Sequence, residues 1–273
     1  DSLDASFDIV GNADYDGDGY ADLLARDPGT GDLEIRLLEN GQTVETGGFD
    51  IESSWKKVVG SADYDGNGYA DFLLRHSRTD ELVLWSLHGT EVLEIVRLPN
   101  ADDDAKIVGS GDYDGNGRHD ILWLRPGGRF RNSALFVWYL DDPAHPEEEE
   151  IPDIDSGWEY AATGDYDGDG NSDVLLRDLQ NGDLRMYLFG SSTVSEESFS
   201  DNSGYFPSGN RDDYTVVSSA DFDGDGRCDI ALRHTRGDLL LLYMEGSQAQ
   251  GGLLLDGFPE SLDGVGLENP TID

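Results

Sequence analysis

The chain lacks the usual marks of several large protein classes. It has one cysteine, Cys228, so no intrachain disulfide can form. Its five histidines, His76, His88, His119, His145 and His234, share no zinc-binding spacing. No apolar run approaches the ~20 residues that a membrane helix needs, so no membrane insertion is expected. Basic residues are scarce: 18 Lys and Arg stand against 58 Asp and Glu, for a formal net charge of −40. Such an acidic surface argues against nucleic acid and anionic membranes as partners. It suits solubility, or a salty medium that screens the repulsion. Helical periodicity is missing throughout, and 35 glycines would be costly inside helices.

Enough apolar residues are present for a core, at 37% with 10% aromatic. The acids are not spread at random. Asp14, Asp16, Asp18 and Asp22 occupy positions 1, 3, 5 and 9 of a loop whose positions 4 and 6 are glycine. The same loop recurs as Asp63, Asp65, Asn67, Asp71 and as Asp112, Asp114, Asn116, Asp120. It appears again as Asp165, Asp167, Asp169, Asp173 and as Asp221, Asp223, Asp225, Asp229. Alternate side chains of a tight turn converge on one side, and glycine allows the backbone angles the turn requires. Converging carboxylate and amide oxygens suit a hard cation, Ca²⁺ above others. Position 7 varies (Tyr20, Tyr69, Arg118, Asn171, Arg227), as expected where only the backbone carbonyl is a ligand. Cys228 falls at position 8, where the other loops have Ala21, Ala70, His119 and Ser172, and reads as a small tucked side chain.

An EF-hand shares the first half of this loop but needs a bidentate Glu at position 12 and flanking helices. Position 12 here is Ala25, Leu74, Trp123, Leu176 or Leu232, which excludes it. Read as plain Asp-Gly turns, the loops would crowd carboxylates with nothing to offset their repulsion. Each loop is expected to serve its own blade, so that Asp65→Ala weakens blade 2 alone.

The loops begin at Asp14, Asp63, Asp112, Asp165 and Asp221, in steps of 49, 49, 53 and 56 residues. Around each lie four short β-rich segments. A first precedes the loop (Phe7 to Val10, Trp55 to Gly60, Ala105 to Gly109, Trp158 to Thr163, Tyr214 to Ser218). An apolar second begins at position 9 and ends at Arg26, Arg75, Arg125, Arg177 or Arg233. A third follows a turn (Leu33 to Leu38, Leu82 to Leu87, Leu135 to Leu140, Leu184 to Phe189, Leu239 to Met244). A weaker fourth closes the unit (Thr43 to Thr46, Val92 to Leu98, Glu148 to Ile151, Val194 to Phe199, Leu253 to Leu255). This predicts an all-β, five-bladed β-propeller with four antiparallel strands per blade and one Ca²⁺-binding loop per blade. One domain is expected over 1–273, with blades at about 1–50, 51–100, 101–151, 152–207 and 208–260 and a tail from 261 to 273.

The stretch Gly60-Ser61-Ala62-Asp63-Tyr64-Asp65-Gly66-Asn67-Gly68-Tyr69-Ala70-Asp71-Phe72-Leu73-Leu74-Arg75, followed by Leu82-Val83-Leu84-Trp85, resembles the FG-GAP/VCBS repeats of bacterial propellers. These share the calcium-loop design of integrin α-subunit propellers. Equivalent stretches cover nearly the whole chain. The resemblance implies about five Ca²⁺ ions, one per blade, in the loops joining the first two strands. The ligands carry over to positions 1, 3, 5, 7 and 9 of each loop as given above. The third-strand aromatic of the repeat (Trp85, Trp138, Tyr187) is replaced by Arg36 in blade 1 and Leu242 in blade 5.

No catalytic constellation emerges, and the chain is not expected to be an enzyme, although a pair of acids for glycoside cleavage could hide among so many. Blade 3, with its insertion from Arg125 to Ser133, is the place where an enzyme site would break the repeat. The leading expectation is a secreted or cell-surface binding and adhesion module, monomeric, with structural Ca²⁺ and a protein or glycan ligand. Extracellular calcium modules bind at ~10⁻⁴–10⁻³ M, which suits export. The alternative is a lectin. The repeated arginines would then form cationic clefts, and Trp85, Trp138 and Tyr187 would be stacking platforms. Read structurally, the arginines tie strands together and the aromatics are core. His76 and His234, which follow the repeated Arg, read as part of the blade framework.

Overall fold

The computed structural model describes residues 7–255, apart from 52–53, 56, 102–103, 128–132, 152–153, 155–156, 191–192, 203 and 207–210. The expected tail from Ser261 and most of the blade 3 insertion lie outside the described residues. Every element is a strand except a 3-10 turn at Arg211–Asp213. The architecture is an all-β, five-bladed β-propeller of antiparallel sheets in sequence order.

Blade 1 is β1 (Asp8–Ala13), β2 (Asp22–Arg26), β3 (Leu33–Glu39) and β4 (Gln42–Phe49). Blade 2 is β5 (Lys57–Ala62), β6 (Asp71–Arg75), β7 (Leu82–His88) and β8 (Glu91–Arg97). Blade 3 is β9 (Lys106–Gly111), β10 (Asp120–Arg125), β11 (Ala134–Tyr139) and β12 (Glu147–Ile151). Blade 4 is β13 (Trp158–Gly164), β14 (Asp173–Asp178), β15 (Leu184–Gly190) and β16 (Thr193–Ser198). After β17 (Ser200–Asp201), blade 5 is β18 (Tyr214–Ala220), β19 (Asp229–His234), β20 (Leu239–Glu245) and β21 (Gln248–Leu255).

Burial explains how clearly each strand reads. The second strands are covered on both faces, so they are near-continuous apolar runs such as Phe72-Leu73-Leu74 and Ile121-Leu122-Trp123. The fourth strands β8, β12 and β16 are mostly exposed and correspondingly polar. First strands run about two residues further toward the loop than expected. Their last residues are small and poor in β propensity (Gly11-Asn12-Ala13, Gly60-Ser61-Ala62), because a neighbouring blade approaches closely there. A Cβ on Gly11 would lie 3.5 Å from the Ser61 Cβ of blade 2, and one on Gly164 would lie 2.7 Å from the Cys228 Cβ of blade 5. In four blades the first strand also carries a one-residue bulge at the same place, leaving Val10, Val59, Ala161 and Val217 unpaired.

The chain groups into two compact units. One holds residues 1–105 with 117–121 and 138–148, and the other holds 106–116, 122–137 and 149–273. In the first, β1 lies against β5, over a core that includes Leu24, Ile35, Phe72 and Val83. In the second, β13 lies against both β9 and β18, over a core that includes Leu175, Met186, Ile230 and Leu242.

The longest step between loops, from Asp165 to Asp221, contains an addition. The stretch expected to finish blade 4 instead sends β17 to pair in parallel with β21 of blade 5. The Ser200 N–H donates to the Ser247 carbonyl and the Asn202 N–H to the Ala249 carbonyl, both at 2.9 Å. Phe206 then plugs the junction, 5.8 Å from the Phe199 ring and 5.4 Å from the Tyr214 ring, under the Arg211 guanidinium at 4.8 Å.

Candidate metal centre

Each loop is wound around its first aspartate. Asp14 Oδ1 accepts the N–H groups of Gly17 (2.7 Å) and Asp18 (3.1 Å), and Oδ2 accepts that of Gly19 (2.8 Å). Asp63 and Asp221 repeat the pattern from positions 4, 5 and 6. At Asp221 these N–H donors hold the carboxyl below its ordinary range. The turn needs left-handed backbone at both glycines, with φ +74° and +87° at Gly17 and Gly19 and +83° and +89° at Gly224 and Gly226. Position 5 caps the next turn: Asp18 Oδ1 accepts the Tyr20 N–H and Asp169 Oδ1 the Asn171 N–H, both at 2.8 Å.

The ninth position is different in kind. Asp22, Asp71, Asp120, Asp173 and Asp229 are essentially fully buried. In four of them one carboxylate oxygen accepts the N–H of position 2, from Tyr15 (2.8 Å), Tyr64, Tyr166 or Phe222 (each 2.9 Å). In all five the other oxygen accepts an N–H at the end of the third strand: Leu38 (2.7 Å), Leu87 (2.8 Å), Leu140 (3.0 Å), Phe189 (2.8 Å) or Met244 (2.9 Å). This carboxylate therefore pins loop to sheet inside the blade.

Five acidic clusters result, one per blade. In Asp14, Asp16, Asp22 and in Asp63, Asp65, Asp71 the nearest oxygens lie within 4.8 Å of one another. The same holds for Asp112, Asp114, Asp120, for Asp165, Asp167, Asp173, and for Asp221, Asp223, Asp225. Positions 1, 3 and 9 thus converge in four loops, and positions 1, 3 and 5 in the fifth. Burial pushes the Asp71 carboxyl up to about 7 and that of Asp173 up to about 8; carboxylates of the same loop add to this, and the backbone N–H groups oppose it. Asp16, Asp22, Asp167 and Asp229 are raised for the same leading reason. An all-oxygen donor set on a rigid glycine turn, with one member buried and resisting ionisation, fits a hard divalent cation.

Three contacts that sequence reasoning missed join each loop to the next blade. The position 8 N–H donates to the position 1 carbonyl of the preceding loop: Ala70 to Asp14 (2.7 Å), His119 to Asp63 (2.8 Å), Ser172 to Asp112 (2.6 Å) and Cys228 to Asp165 (2.7 Å). The position 7 side chain covers the position 4 glycine of the preceding loop, as Tyr69 does at Gly17 and Arg118 at Gly66. The position 2 tyrosines Tyr15, Tyr64, Tyr113 and Tyr166 are buried, and burial pushes Tyr15 and Tyr166 far above the ordinary phenol range. The Tyr15 hydroxyl pairs with Ser61 of blade 2, and that of Tyr113 with Thr163 Oγ1 of blade 4 at 2.9 Å. The signal was in the sequence, as an aromatic recurring at position 2 in all five loops. A loop is therefore a joint between two blades: the Asp63 carbonyl of loop 2 accepts from His119 of blade 3, while the Asp65 carboxylate accepts from Asn67 and Ser86 within blade 2.

The other expected recognition features are occupied. Arg75 pairs with Asp80 at 3.2 Å and Arg125 with Glu150 at 3.7 Å. Arg177 reaches Glu159 at 3.3 Å and donates to the Tyr214 carbonyl of blade 5 at 3.0 Å. Trp138 and Tyr187 are buried, and Trp85 is half-buried and stacked on Phe72 at 5.4 Å. His234 Nδ1 accepts the Arg236 N–H at 3.0 Å, capping the turn as Asp178 does for Gln180 at 2.6 Å. Among the described residues, no helix is long and apolar enough to cross a membrane.

Residues 14–74, 112–176 and 165–232 match the FG-GAP-like repeat family. No curated protein sequence matches the chain. Among solved structures it is similar to a dihydro-heme d1 dehydrogenase, NirN, in complex with DHE, at 13% identity and a TM-score of 0.47 over 91% of this chain and 47% of that one. It is also similar to the Dos1 propeller, at 10% identity and a TM-score of 0.46 over 92% of this chain and 58% of that one. The chain thus spans about half the length of the solved structures it matches.

Two predictions follow from the buried aspartates. Their folded pKa values are raised above the unfolded 3.8, so the folded state binds more protons. That contribution to stability is fully present below about 3.8 and is lost as pH rises through about 7 to 8. The cation-free chain should therefore melt at a higher temperature at pH 5.5 than at pH 8.5; an equal or reversed order by calorimetry would contradict this. Asp173→Ala strands the buried N–H groups of Tyr166 and Phe189. It should cost about 2–4 kcal/mol in urea denaturation of the cation-free chain at pH 5.5, whereas Asp167→Ala should cost little under those conditions.

Proposed function

The chain belongs to the FG-GAP-like repeat family, and on that premise we propose that it is a calcium-stabilised, extracellular binding and adhesion module. Ca²⁺ is the structural ion of each loop. The aspartates at positions 1, 3 and 9 hold it, with the side-chain oxygen at position 5 and the backbone carbonyl at position 7 completing the shell. The observation that carries this reading is the convergence of three carboxylates to within 4.8 Å in each loop, with the buried ninth-position aspartate among them in four of the five. Carboxylate and carbonyl oxygens without nitrogen or sulfur favour calcium over transition metals. The ion supplies charge neutralisation, and with it the order of the loop and of the joint to the next blade.

Export follows from the ion. Loops that depend on calcium at ~10⁻⁴–10⁻³ M stay loaded outside the cell. The reading is non-catalytic: among the described residues the buried and perturbed acids belong to the acidic loops, and Arg75, Arg125 and Arg177 are engaged in ion pairs or strand ties. A protein ligand is favoured over a glycan because Trp138 and Tyr187 are buried and offer no face to a sugar ring.

Removing the ion tests the structural role. Exhaustive chelation at pH 7.5 should lower the melting temperature by about 10 °C or more, and metal analysis of the loaded chain should find about five calcium equivalents. Superimposable melts with and without chelator would end the structural role. A glycan array probed in calcium should stay blank while the protein is shown to be folded. A glycan signal that disappears on chelation would replace the protein-ligand reading with a lectin.

A further inference from the structure

The side chain at position 7 keeps contacts in its own loop, where the Arg227 guanidinium pairs with Asp225 at 3.1 Å and the Asn171 amide donates to Asp169 at 3.1 Å, and it also reaches beyond it. It lies over the position 4 glycine of the preceding loop. A Cβ on Gly17 would meet the Tyr69 ring at 3.2 Å, and one on Gly115 would meet the Asn171 side chain. A Cβ on Gly66 would meet Arg118 Cγ at 2.9 Å and Nε at 3.1 Å, and one on Gly168 would meet Arg227 Cγ at 3.2 Å and Nε at 3.3 Å. Position 4 sits between the ligand positions 3 and 5. The caps therefore stand directly beside the preceding cation site, and they differ in charge: neutral on loops 1 and 3, cationic on loops 2 and 4.

A fixed guanidinium beside an acidic loop acts twice. It stabilises the empty loop by partly neutralising the carboxylates, and it repels the bound divalent ion. Both effects weaken binding. Ligand charge acts in the same direction, since position 5 is Asn67 in loop 2 and Asn116 in loop 3 but Asp18 and Asp169 in loops 1 and 4. Taking each cap with the loop it covers, loop 1 has the most negative site, loops 3 and 4 are intermediate and loop 2 is least negative.

We propose that Arg118 is an affinity-setting residue that acts on the preceding blade's cation, making loop 2 the weakest and loop 1 the tightest of the four capped sites. This rests on the calcium reading of the loops. As calcium falls, loop 2 empties first, and the joint between blades 2 and 3 is the first to loosen.

The test is a calcium titration of the cation-free full-length chain against a chromophoric chelator. Arg118→Gln should tighten the weakest equivalent by about three- to tenfold and leave the rest in place. Arg118→Lys should retain the wild-type isotherm. Independently of how those variants fold, Asp65→Asn should remove the weakest equivalent and Asp16→Asn the tightest. The proposal is overturned if Arg118→Gln titrates like wild type, if Arg118→Lys tightens as much as Arg118→Gln, or if Asp65→Asn removes a tight equivalent. A wild-type chain that takes up no calcium at millimolar concentration would instead overturn the calcium reading itself.

Discussion

At the ninth position of each loop a carboxylate sits out of water against backbone N–H groups, one from the third strand and, in four loops, another from the loop itself. Two N–H groups that would otherwise be buried without acceptors are satisfied by one side chain, and the distance between loop and sheet is set by its length. Asp71, for example, holds Tyr64 and Leu87 at once, which lie on opposite sides of the loop-to-strand corner. The geometry that satisfies the backbone is costly for the carboxylate. Desolvation favours its neutral form, and its neighbours at positions 1 and 3 add repulsion. A cation at the convergence point would resolve that conflict, so the loop's shape and its fitness for a metal have one origin.

The same loops hold neighbouring blades together. A carbonyl at position 1 accepts from the following blade, a glycine at position 4 leaves room for the following blade's side chain, and an aromatic at position 2 packs toward it. These are short-range contacts that depend on the turn being wound as it is. Stability in a repeat structure is approximately a sum of repeat and nearest-neighbour terms. Here the nearest-neighbour term runs through the loop.

Much of this was legible in the residues. The second strands declared themselves because burial on both faces leaves no room for polar alternation, and Asp22–Arg26, Asp71–Arg75 and Asp120–Arg125 stand where they were expected. The acidic clusters were legible because glycine at 4 and 6 and acid at 1, 3 and 9 have one common explanation. First strands were ended too early because their last residues, such as Gly11, Ser61 and Ser219, are small and poor in strand propensity. β17 was invisible: two polar residues, Ser200 and Asp201, form a strand only because the edge of β21 is there to receive them. The joints were invisible for a related reason. Tolerance at position 7 was read as freedom, whereas Tyr69, Arg118, Asn171 and Arg227 are each fitted to the loop before them, and such pairing between repeats leaves no periodic trace.

The net charge of −40 looks different once the loops are understood. Carboxylates that ligate cations are partly neutralised in the folded protein but fully exposed to one another when the ions leave. Other acids lie on exposed strands such as β12, where Glu147 to Glu150 are exposed. Self-repulsion of that size opposes a compact chain, and each ion that binds relieves some of it at every other loop as well as at its own. Neighbour joints and long-range charge therefore act in the same direction. Loss of a cation from one loop would both loosen a joint and raise the repulsion felt by the other loops, so any dependence of the fold on bound cations would be collective even with separate ligands for each.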